Sequence, residues 1–101
     1  MKDNLVWDEP IDDKDLDKEI DEYGITYYKK GTLIRHRTNG PAVIYSDGLE
    51  FWKQNNVDHR VDGPSRDYYE NNEKEWWYKG KKINCSSQQE FEKLIKLKVF
   101  W

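Results

Sequence analysis

The sequence predicts an α+β fold: an antiparallel, strongly twisted β-meander of hairpin repeats, with a short acidic N-terminal helix and a C-terminal helix packed on the sheet. One observation is an internal repeat, because the stretch HRTNGPA from His36 to Ala42 returns as HRVDGPS from His59 to Ser65. A second is a series of short aromatic runs separated by tight-turn residues. These gaps are too short for crossover helices, so the strands must pair antiparallel. We treat residues 1–101 as one domain with a modest core.

The first part of the chain, residues 1–24, is predicted to be an acidic arm that contains the N-terminal helix. From Asp12 to Tyr23 the apolar side chains, Leu16 and Ile20 among them, are spaced as on one helical face. An aspartate at the start suits a helix N-terminus, and Gly24 is a natural stop. Before the helix stands a short apolar patch, either an edge strand or an anchoring tail, that consists of Leu5, Val6 and Trp7.

The middle of the chain, residues 25–84, is predicted to form hairpin repeats with a period of about 23 residues, which indicates one hairpin per unit. Each copy holds Asn or Asp before Gly-Pro, a pattern typical of a turn that leads into an extended segment. The pairs Asp47-Gly48 and Asn71-Asn72 are typical of type I′ hairpin turns. The predicted strands cover residues 25–29, 33–37, 42–46, 49–54, 57–61, 65–69, 73–78 and 81–84.

A C-terminal helix is predicted for residues 86–99. The stretch from Ser87 to Glu90 is a capping box, in which the Ser hydroxyl and the Glu carboxylate each accept a backbone N–H group. The apolar positions Phe91, Leu94, Ile95 and Val99 then line one face of the helix. We expect this face to cover the sheet, with Phe100-Trp101 packed behind it.

The repeats resemble the Trp-Tyr-x-Asn-Gly-x-x-His-Arg-x-Asp-Gly-Pro-Ala repeats of small phage and large-virus proteins, which look like relatives of MORN repeats. The resemblance covers about Tyr27 to Ile83. It departs from the pattern at three places: a longer link from Thr32 to Arg35, Asn55-Asn56 in place of the Asn-Gly turn, and Asn84 where a third His would fall. The resemblance implies a β-hairpin fold and a phage or prophage origin. It implies no catalytic residues, because such repeats are structural units.

Charge is distributed unevenly along the chain. Residues 1–22 hold ten acidic and three basic side chains, while residues 23–101 hold ten acidic and fourteen basic ones, within a formal net charge of −3. The sequence contains no long apolar run and no basic-then-apolar start, so we predict neither a membrane span nor a signal peptide. A single cysteine permits no internal disulfide. We expect the protein in the cytoplasm of an infected or lysogenic host cell.

The candidates for chemistry are few. His36 and His59 occupy the same place in the two repeats, which favours a structural role, such as an imidazole bonded to a turn carbonyl. A metal would need a third ligand, and the spacing provides none. Cys85 lies near the predicted helix start, where a thiolate is mildly favoured, but no base accompanies it. We therefore predict no enzyme activity, no metal and no cofactor.

Two sets of residues are candidates for binding a partner. The carboxylates of the arm can imitate the charge of a nucleic-acid backbone in front of a basic groove, although a solvated helical face is the plainer interpretation. They are Asp12, Asp13, Asp15, Asp17, Glu19, Asp21 and Glu22. The second set is an aromatic-basic face suited to stacking bases and holding phosphates, although adjacent aromatics also alternate into a core. Its members are Tyr28, Lys29, Lys30, Arg35, Trp77, Lys79, Lys81 and Lys82.

The sequence therefore favours a small non-enzymatic binding protein of phage or prophage origin. We expect it to act as a stoichiometric inhibitor of a basic host protein that handles nucleic acid, such as a CRISPR effector. One alternative is a module that binds nucleic acid directly through the aromatic-basic face. Another is a structural, assembly or antitoxin-like protein that docks through sheet edges or aromatic patches. The oligomeric state stays open.

Overall fold

The computed structural model describes residues 5–68 and 73–97. Its elements are β1 Leu16–Asp21, β2 Gly24–Lys29, β3 Val43–Tyr45, β4 Glu50–Phe51, β5 Lys53–Gln54, β6 Val57–Asp58, β7 Arg66–Tyr68, β8 Glu73–Tyr78, β9 Lys81–Ile83 and α1 Gln88–Leu97. The main sheet is antiparallel throughout, with the strand order β1-β2-β3-β4-β7-β8-β9, and β5 and β6 form a separate two-stranded ribbon. An α-helix follows the strands, so the predicted α+β class with an antiparallel sheet and a C-terminal helix is confirmed.

The predicted N-terminal helix is wrong. A single 3-10 turn, Asp13–Asp15, leads into strand β1, which pairs with β2 along its whole length. A spacing of four between Leu16 and Ile20 fits a strand as well as a helix, because side chains two and four residues apart share a strand face. A helix would also place like charges on adjacent turns, whereas the strand separates them by about 7 Å. The alternating carboxylates of Asp17, Glu19 and Asp21 were the signal for a strand.

Gly24 opens strand β2 and does not end a helix. Its φ is +144°, and a Cβ atom there would lie 2.1 Å from the Ile44 carbonyl oxygen of β3. The Asp21 carboxylate closes the β1-β2 turn by accepting the N–H groups of Tyr23 at 2.9 Å and Gly24 at 3.2 Å. A side chain at position 24 would therefore separate β2 from β3, which explains the glycine.

The apolar patch at residues 5–7 is an anchoring tail and forms no strand. The tail crosses the repeats, where Asn55 Nδ2 donates to the Val6 carbonyl at 2.9 Å. Farther along, the Ile11 N–H donates to Thr38 Oγ1 at 2.9 Å, and Asn39 Nδ2 donates to the Ile11 carbonyl at 2.8 Å. Side chains of the first repeat therefore bind the backbone of the arm.

The predicted strands agree with the structure where the hairpins are regular. Strand 73–78 has the predicted bounds, and 25–29, 42–46 and 81–84 differ at their ends. The predicted strand 33–37 is wrong, because only Arg35 pairs with Tyr28 in an isolated bridge. The strand predicted for 49–54 is divided at Trp52, whose N–H donates to Ser65 at 2.8 Å and whose carbonyl accepts from His59 at 3.0 Å. Strand 57–61 ends at Asp58, and strand 65–69 spans Arg66–Tyr68, with residue 69 outside the described residues.

Successive residues with left-handed backbone angles, which a type I′ turn requires, occur at other places than the predicted turn Asp47-Gly48. Only Gly48 of the pair Asp47-Gly48 has a positive φ, of 97°, so this turn is not type I′. Positive φ at two successive residues occurs at Asn55-Asn56, with 53° and 72°, and at Lys79-Gly80, with 51° and 82°. The pair Asn71-Asn72 lies outside the described residues.

Helix α1 packs over the last two strands. Phe91 is fully buried against Trp76 and Ile83, with Leu94 and Ile95 half-buried beside it. The Glu90 N–H donates to Ser87 Oγ at 3.1 Å, while the Glu90 carboxylate accepts the N–H of Ser86 at 2.8 Å, one residue earlier than a standard capping box. The predicted helix residue Val99 and the pair Phe100-Trp101 lie outside the described residues.

The strand register assigns each side chain to one of two faces. The covered face carries most of the buried apolar residues, namely Leu16, Tyr27, Trp76 and Ile83. The opposite, open face presents half-buried and exposed side chains of alternating chemistry along the whole sheet. It carries Asp17, Glu19, Asp21, Tyr28, Arg35, Tyr45, Phe51, Arg66, Tyr68, Glu75, Trp77 and Lys82, with Val43 buried among them.

Candidate functional site

The repeated histidines hold the turns of the next hairpin. His36 Nδ1 accepts the backbone N–H of Asn55 at 3.0 Å, and His59 Nδ1 accepts that of Lys79 at 2.9 Å. A backbone N–H can only donate, so each Nδ1 is unprotonated and each Nε2 carries the proton. Both histidines thus have a structural role, but each imidazole accepts from an N–H group, and within residues 5–68 and 73–97 neither bonds a turn carbonyl.

The repeated arginine, proline and glycine act together. The Arg37 guanidinium lies 4.0 Å from the centre of the Tyr27 ring and donates to the Pro41 carbonyl at 3.1 Å. Arg60 repeats both contacts, at 3.6 Å over the Trp52 ring and 3.2 Å to the Pro64 carbonyl. The glycine before each proline lies under the guanidinium, because a Cβ on Gly63 would approach Arg60 Cζ to 2.6 Å. Neither this glycine nor Gly40 has a positive φ, so space for arginine and not backbone angle requires glycine.

The third copy of the histidine position belongs to Ile83 and not, as predicted, to Asn84. His36 and His59 donate their N–H groups to the carbonyls of Tyr27 and Trp52, and Ile83 pairs with Trp76 in the same way. Ile83 lies seven residues after Trp76, as His59 lies seven residues after Trp52. Ile83 is buried under Phe91, so α1 covers the place where a further hairpin would follow.

Burial keeps both histidines neutral. Desolvation lowers the pKa of His36 below 6.5, and the nearby Lys29 charge lowers it further. Desolvation also lowers the pKa of His59 below 6.5, although the Asp8 carboxylate opposes that change. Within residues 5–68 and 73–97, no three side chains of His, Cys, Asp or Glu lie together in a way that would hold a metal ion.

Cys85 lies half-buried against the cluster of Trp76, Ile83 and Phe91. Desolvation raises the pKa of its thiol, and the Glu90 carboxylate raises it further, against a smaller lowering by a backbone hydrogen bond from Ser87. Burial therefore favours the neutral thiol at Cys85.

The structure divides the seven predicted carboxylates of the arm into two groups. Four have intramolecular roles, since Asp12 accepts from Lys14 N at 3.1 Å, Asp13 pairs with Arg37 at 2.7 Å and Asp17 accepts from Gly31 N at 2.7 Å, while Asp21 closes the β1-β2 turn. The Arg37 hydrogen bond lowers the pKa of Asp13. The other three, which we call the edge acids, make no hydrogen bond or ion pair within the described residues: Asp15, Glu19 and Glu22.

The edge acids lie along the edge strand β1. β1 is the first strand of the sheet, and within the described residues no strand pairs with its outer side. Two apolar side chains lie among the acids with most of their surface exposed, Ile20 at 67% and Tyr23 at 68%. We call residues 15–23, with this strand, the acidic edge.

A cleft of about 180 Å³ adjoins the acidic edge on the open face. Two carboxylates and three tyrosines belong to its lining, which suits a guanidinium or ammonium group through ion pairing and cation–π contact. Arg35 at its rim makes no side-chain hydrogen bond or ion pair within residues 5–68 and 73–97. The lining includes Glu19, Asp21, Tyr23, Tyr28, Arg35 and Tyr45.

The predicted aromatic-basic face is not one surface. Tyr28, Arg35, Trp77 and Lys82 belong to the open face, whereas the register places Lys29 and Lys81 on the covered face. Lys29 Nζ donates to Asn55 Oδ1 at 2.5 Å, Lys30 Nζ donates to the Lys14 carbonyl at 3.4 Å, and Lys79 lies near the rings of Trp7 and Tyr78.

The open face also carries an aromatic row that was not predicted from the sequence. Tyr45, Phe51 and Tyr68 follow one another edge-on, with ring centres 5.5 Å and 6.5 Å apart. Arg66 lies over Phe51 and Trp77, at 5.0 Å and 4.7 Å from their ring centres. No local signal identifies this row, because its neighbours come from different strands and depend on the register.

The cations of the open face are largely paired with acids. Arg66 bonds the buried Asp58 at 2.8 Å and lies 3.8 Å from Glu75. The Asp58 hydrogen bond raises the pKa of Arg66 above its ordinary value. Lys82 lies 3.7 Å from the same Glu75 carboxylate. These pairs leave less positive charge for phosphates than the sequence indicated.

Compared with known proteins, the chain matches no family model, no curated protein and no solved structure. Among the described residues, no helix has both the length and the apolar character that crossing a membrane requires.

Proposed function

We propose that this chain is a non-enzymatic binding protein that uses its acidic edge to bind and inhibit a basic protein that handles nucleic acid. The observation that carries the proposal is the set of three edge acids, which have no hydrogen-bond or ion-pair partner within residues 5–68 and 73–97, along the unpaired outer side of β1. The resemblance of the repeats to phage and large-virus repeats favours a phage or prophage origin and an anti-defence role, such as inhibition of a CRISPR effector.

The partner adds to the sheet beside β1. An edge strand offers backbone N–H and C=O groups to an incoming strand, and the two exposed apolar side chains, Ile20 and Tyr23, supply contact area. Acids around them raise the rate of association with a basic surface and repel a second copy of the same edge. This arrangement supports one-to-one inhibition and disfavours self-assembly through β1.

A basic side chain of the partner enters the cleft next to this strand. Glu19 supplies a carboxylate, while Tyr28 and Tyr45 supply ring faces and edges. Arg35 carries the same charge as the incoming group and opposes it. We therefore expect Arg35→Gln to tighten binding, whereas loss of the edge acids weakens it.

A pull-down of the tagged protein from bacterial lysate tests the proposal. The edge variant is Asp15→Asn/Glu19→Gln/Glu22→Gln. The control variant, Glu50→Gln/Asp62→Asn/Asp67→Asn, removes the same number of charges away from β1. We expect the wild type and the control to retain one protein in near-equal amount, and the edge variant to lose it. Equal retention by all three would contradict the proposal.

Nuclease digestion of the lysate separates the second candidate function. The aromatic row and Arg66 on the open face favour a nucleic-acid module, because aromatic rings beside a cation stack bases. In that case nuclease digestion should abolish recovery of the partner protein, whereas the edge substitutions should leave that recovery unchanged. The paired state of Arg66 and Lys82 is the reason we rank this function second.

A further inference from the structure

The two histidines make equivalent hydrogen bonds to the backbone, but their Nε2 atoms differ in whether a described residue accepts a hydrogen bond from them. His59 Nε2 lies 2.8 Å from Asp8 Oδ1, and since this nitrogen carries the proton, it donates to the carboxylate. Gln54 holds the same carboxylate, with Nε2 donating to Oδ1 at 3.2 Å and Oε1 accepting the Asp8 N–H at 2.7 Å. The arm therefore places one of its own carboxylates on the second histidine of the repeat.

The repeat identifies the corresponding groups around His36. His36 and His59 donate to the carbonyls of Tyr27 and Trp52, which makes those two residues equivalent. Lys29 follows Tyr27 by two residues, as Gln54 follows Trp52. The position that the Asp8 carboxylate occupies in the second repeat therefore corresponds, in the first repeat, to the space between the His36 imidazole and the Lys29 ammonium.

A cavity of about 320 Å³ lies at this position of the first repeat. His36 and Lys29 line it, and no group within residues 5–68 and 73–97 accepts a hydrogen bond from His36 Nε2. The volume lies within the range of small-molecule sites. The rest of the lining consists of the apolar residues Val6, Pro10 and Ile11 together with Glu9 and Lys30.

We propose that this cavity binds the carboxylate of a small apolar acid. The neutral His36 imidazole donates Nε2–H, Lys29 adds a charge-assisted bond, and the arm residues Val6 and Ile11 cover the hydrocarbon part. A carboxylate is the fitting anion, because the second repeat already places one on the same imidazole nitrogen. Glu9 at the rim repels such a ligand. The inference is independent of the acidic edge and of the proposed function.

Titration with 3-methylbutanoate, followed by NMR of the His36 ring and the Val6 and Ile11 methyl groups, tests the site in the full chain. We expect saturable shifts at these groups, and no such shifts with 3-methylbutanamide, which has the same shape without the charge. Lys29→Met should weaken binding about tenfold, and Glu9→Gln should strengthen it. Unsaturable shifts, or equal shifts with the amide, would overturn the proposal.

Two further experiments test the carboxylate site. Ile11→Trp fills the cavity without changing the donors, so it should abolish binding even if Lys29→Met perturbs the fold. N-acetylglutamate amide tests whether the carboxylate comes from an acidic side chain of a protein and not from a free acid. Tighter binding of inorganic phosphate than of either carboxylate would refute the assignment. A hydrogen bond from His36 Nε2 to the Glu9 carboxylate in the free protein would refute it as well.

Discussion

The two ends of the sheet are built in opposite ways. At the β9 end, helix α1 buries Phe91 against Trp76 and Ile83, and Trp76 Nε1 donates to Gln88 of the helix at 2.7 Å. At the β1 end, no described strand pairs with the outer side of β1, and Ile20 keeps 67% of its surface exposed. A helix therefore covers side chains of the last two strands, whereas β1 keeps its outer side unpaired and exposed apolar side chains beside it.

The difference shows how charge protects an open edge. An uncovered strand with exposed apolar side chains tends to pair with its own copies. The edge acids oppose that pairing, because two copies would bring like charges together. A basic partner would meet no such repulsion, so in the proposed function the edge acids would also provide selectivity.

The largest effect is expected where the sheet is closed. Phe91→Ala removes a fully buried ring and should lower the free energy of unfolding by about 3–5 kcal/mol. Leu97→Ala, on the same helix with 60% of the residue exposed, should change it by less than about 0.5 kcal/mol. Urea unfolding measures both. Similar losses for the two variants would show that α1 does not close this end.

The repeated histidines should differ in their contribution to stability. His59 is fully buried and contacts the Trp7 and Tyr78 rings, so His59→Ala should cost about 3 kcal/mol. His36→Ala should cost about 2 kcal/mol, because water from the adjoining cavity can fill the space. Thermal unfolding compares them, and an equal or larger loss at His36 would contradict the difference between the two sites.

The arginine and glycine of one repeat should be coupled. Gly63→Ala displaces the Arg60 guanidinium from the Trp52 ring and the Pro64 carbonyl, at a cost of about 1 kcal/mol. In an Arg60→Ala background the same change should be neutral or stabilising by about 0.5 kcal/mol, since alanine restricts the unfolded chain. A double-mutant cycle without coupling would refute the steric account.

Stability should fall as the pH drops below 6.5. Burial lowers the pKa of His36 and His59 below that ordinary value, so the unfolded chain binds protons that the folded chain does not. The contribution is complete above pH 6.5 and decreases below it by up to about 1.4 kcal/mol per pH unit for each histidine. NMR titration of the two rings checks the direction. A folded-state pKa above 6.5 at either histidine would contradict it.

The smallest effect on stability is expected at the acidic edge. Asp15→Asn/Glu19→Gln/Glu22→Gln should leave the free energy of unfolding within about 0.5 kcal/mol of the wild type. By contrast, substitution of Asp13, Asp17 and Asp21, which a helical spacing would select, should destabilise the protein because each bonds a folded partner. Chemical denaturation of the two triple variants separates edge acids from structural acids.

The sequence predicted what local patterns determine. Strand Glu73–Tyr78 and the amphipathic α1 follow from residue type and spacing alone. The helix predicted for residues 12–23 failed because pairing with β2 outweighed a spacing that fits both structures. The Asp8–His59 contact joins residues 51 positions apart, and the aromatic row depends on register, so neither has a local signature.

Amide hydrogen exchange of the chain, with and without the captured partner, tests whether the acidic edge is the binding surface. If the acidic edge is the binding surface, protection should concentrate in residues 15–23, where the partner supplies acceptors for the outer N–H groups of β1. Protection confined to the strands around Phe51 and Arg66, with β1 exchanging as in the free protein, would contradict the claim and place the partner on the open face.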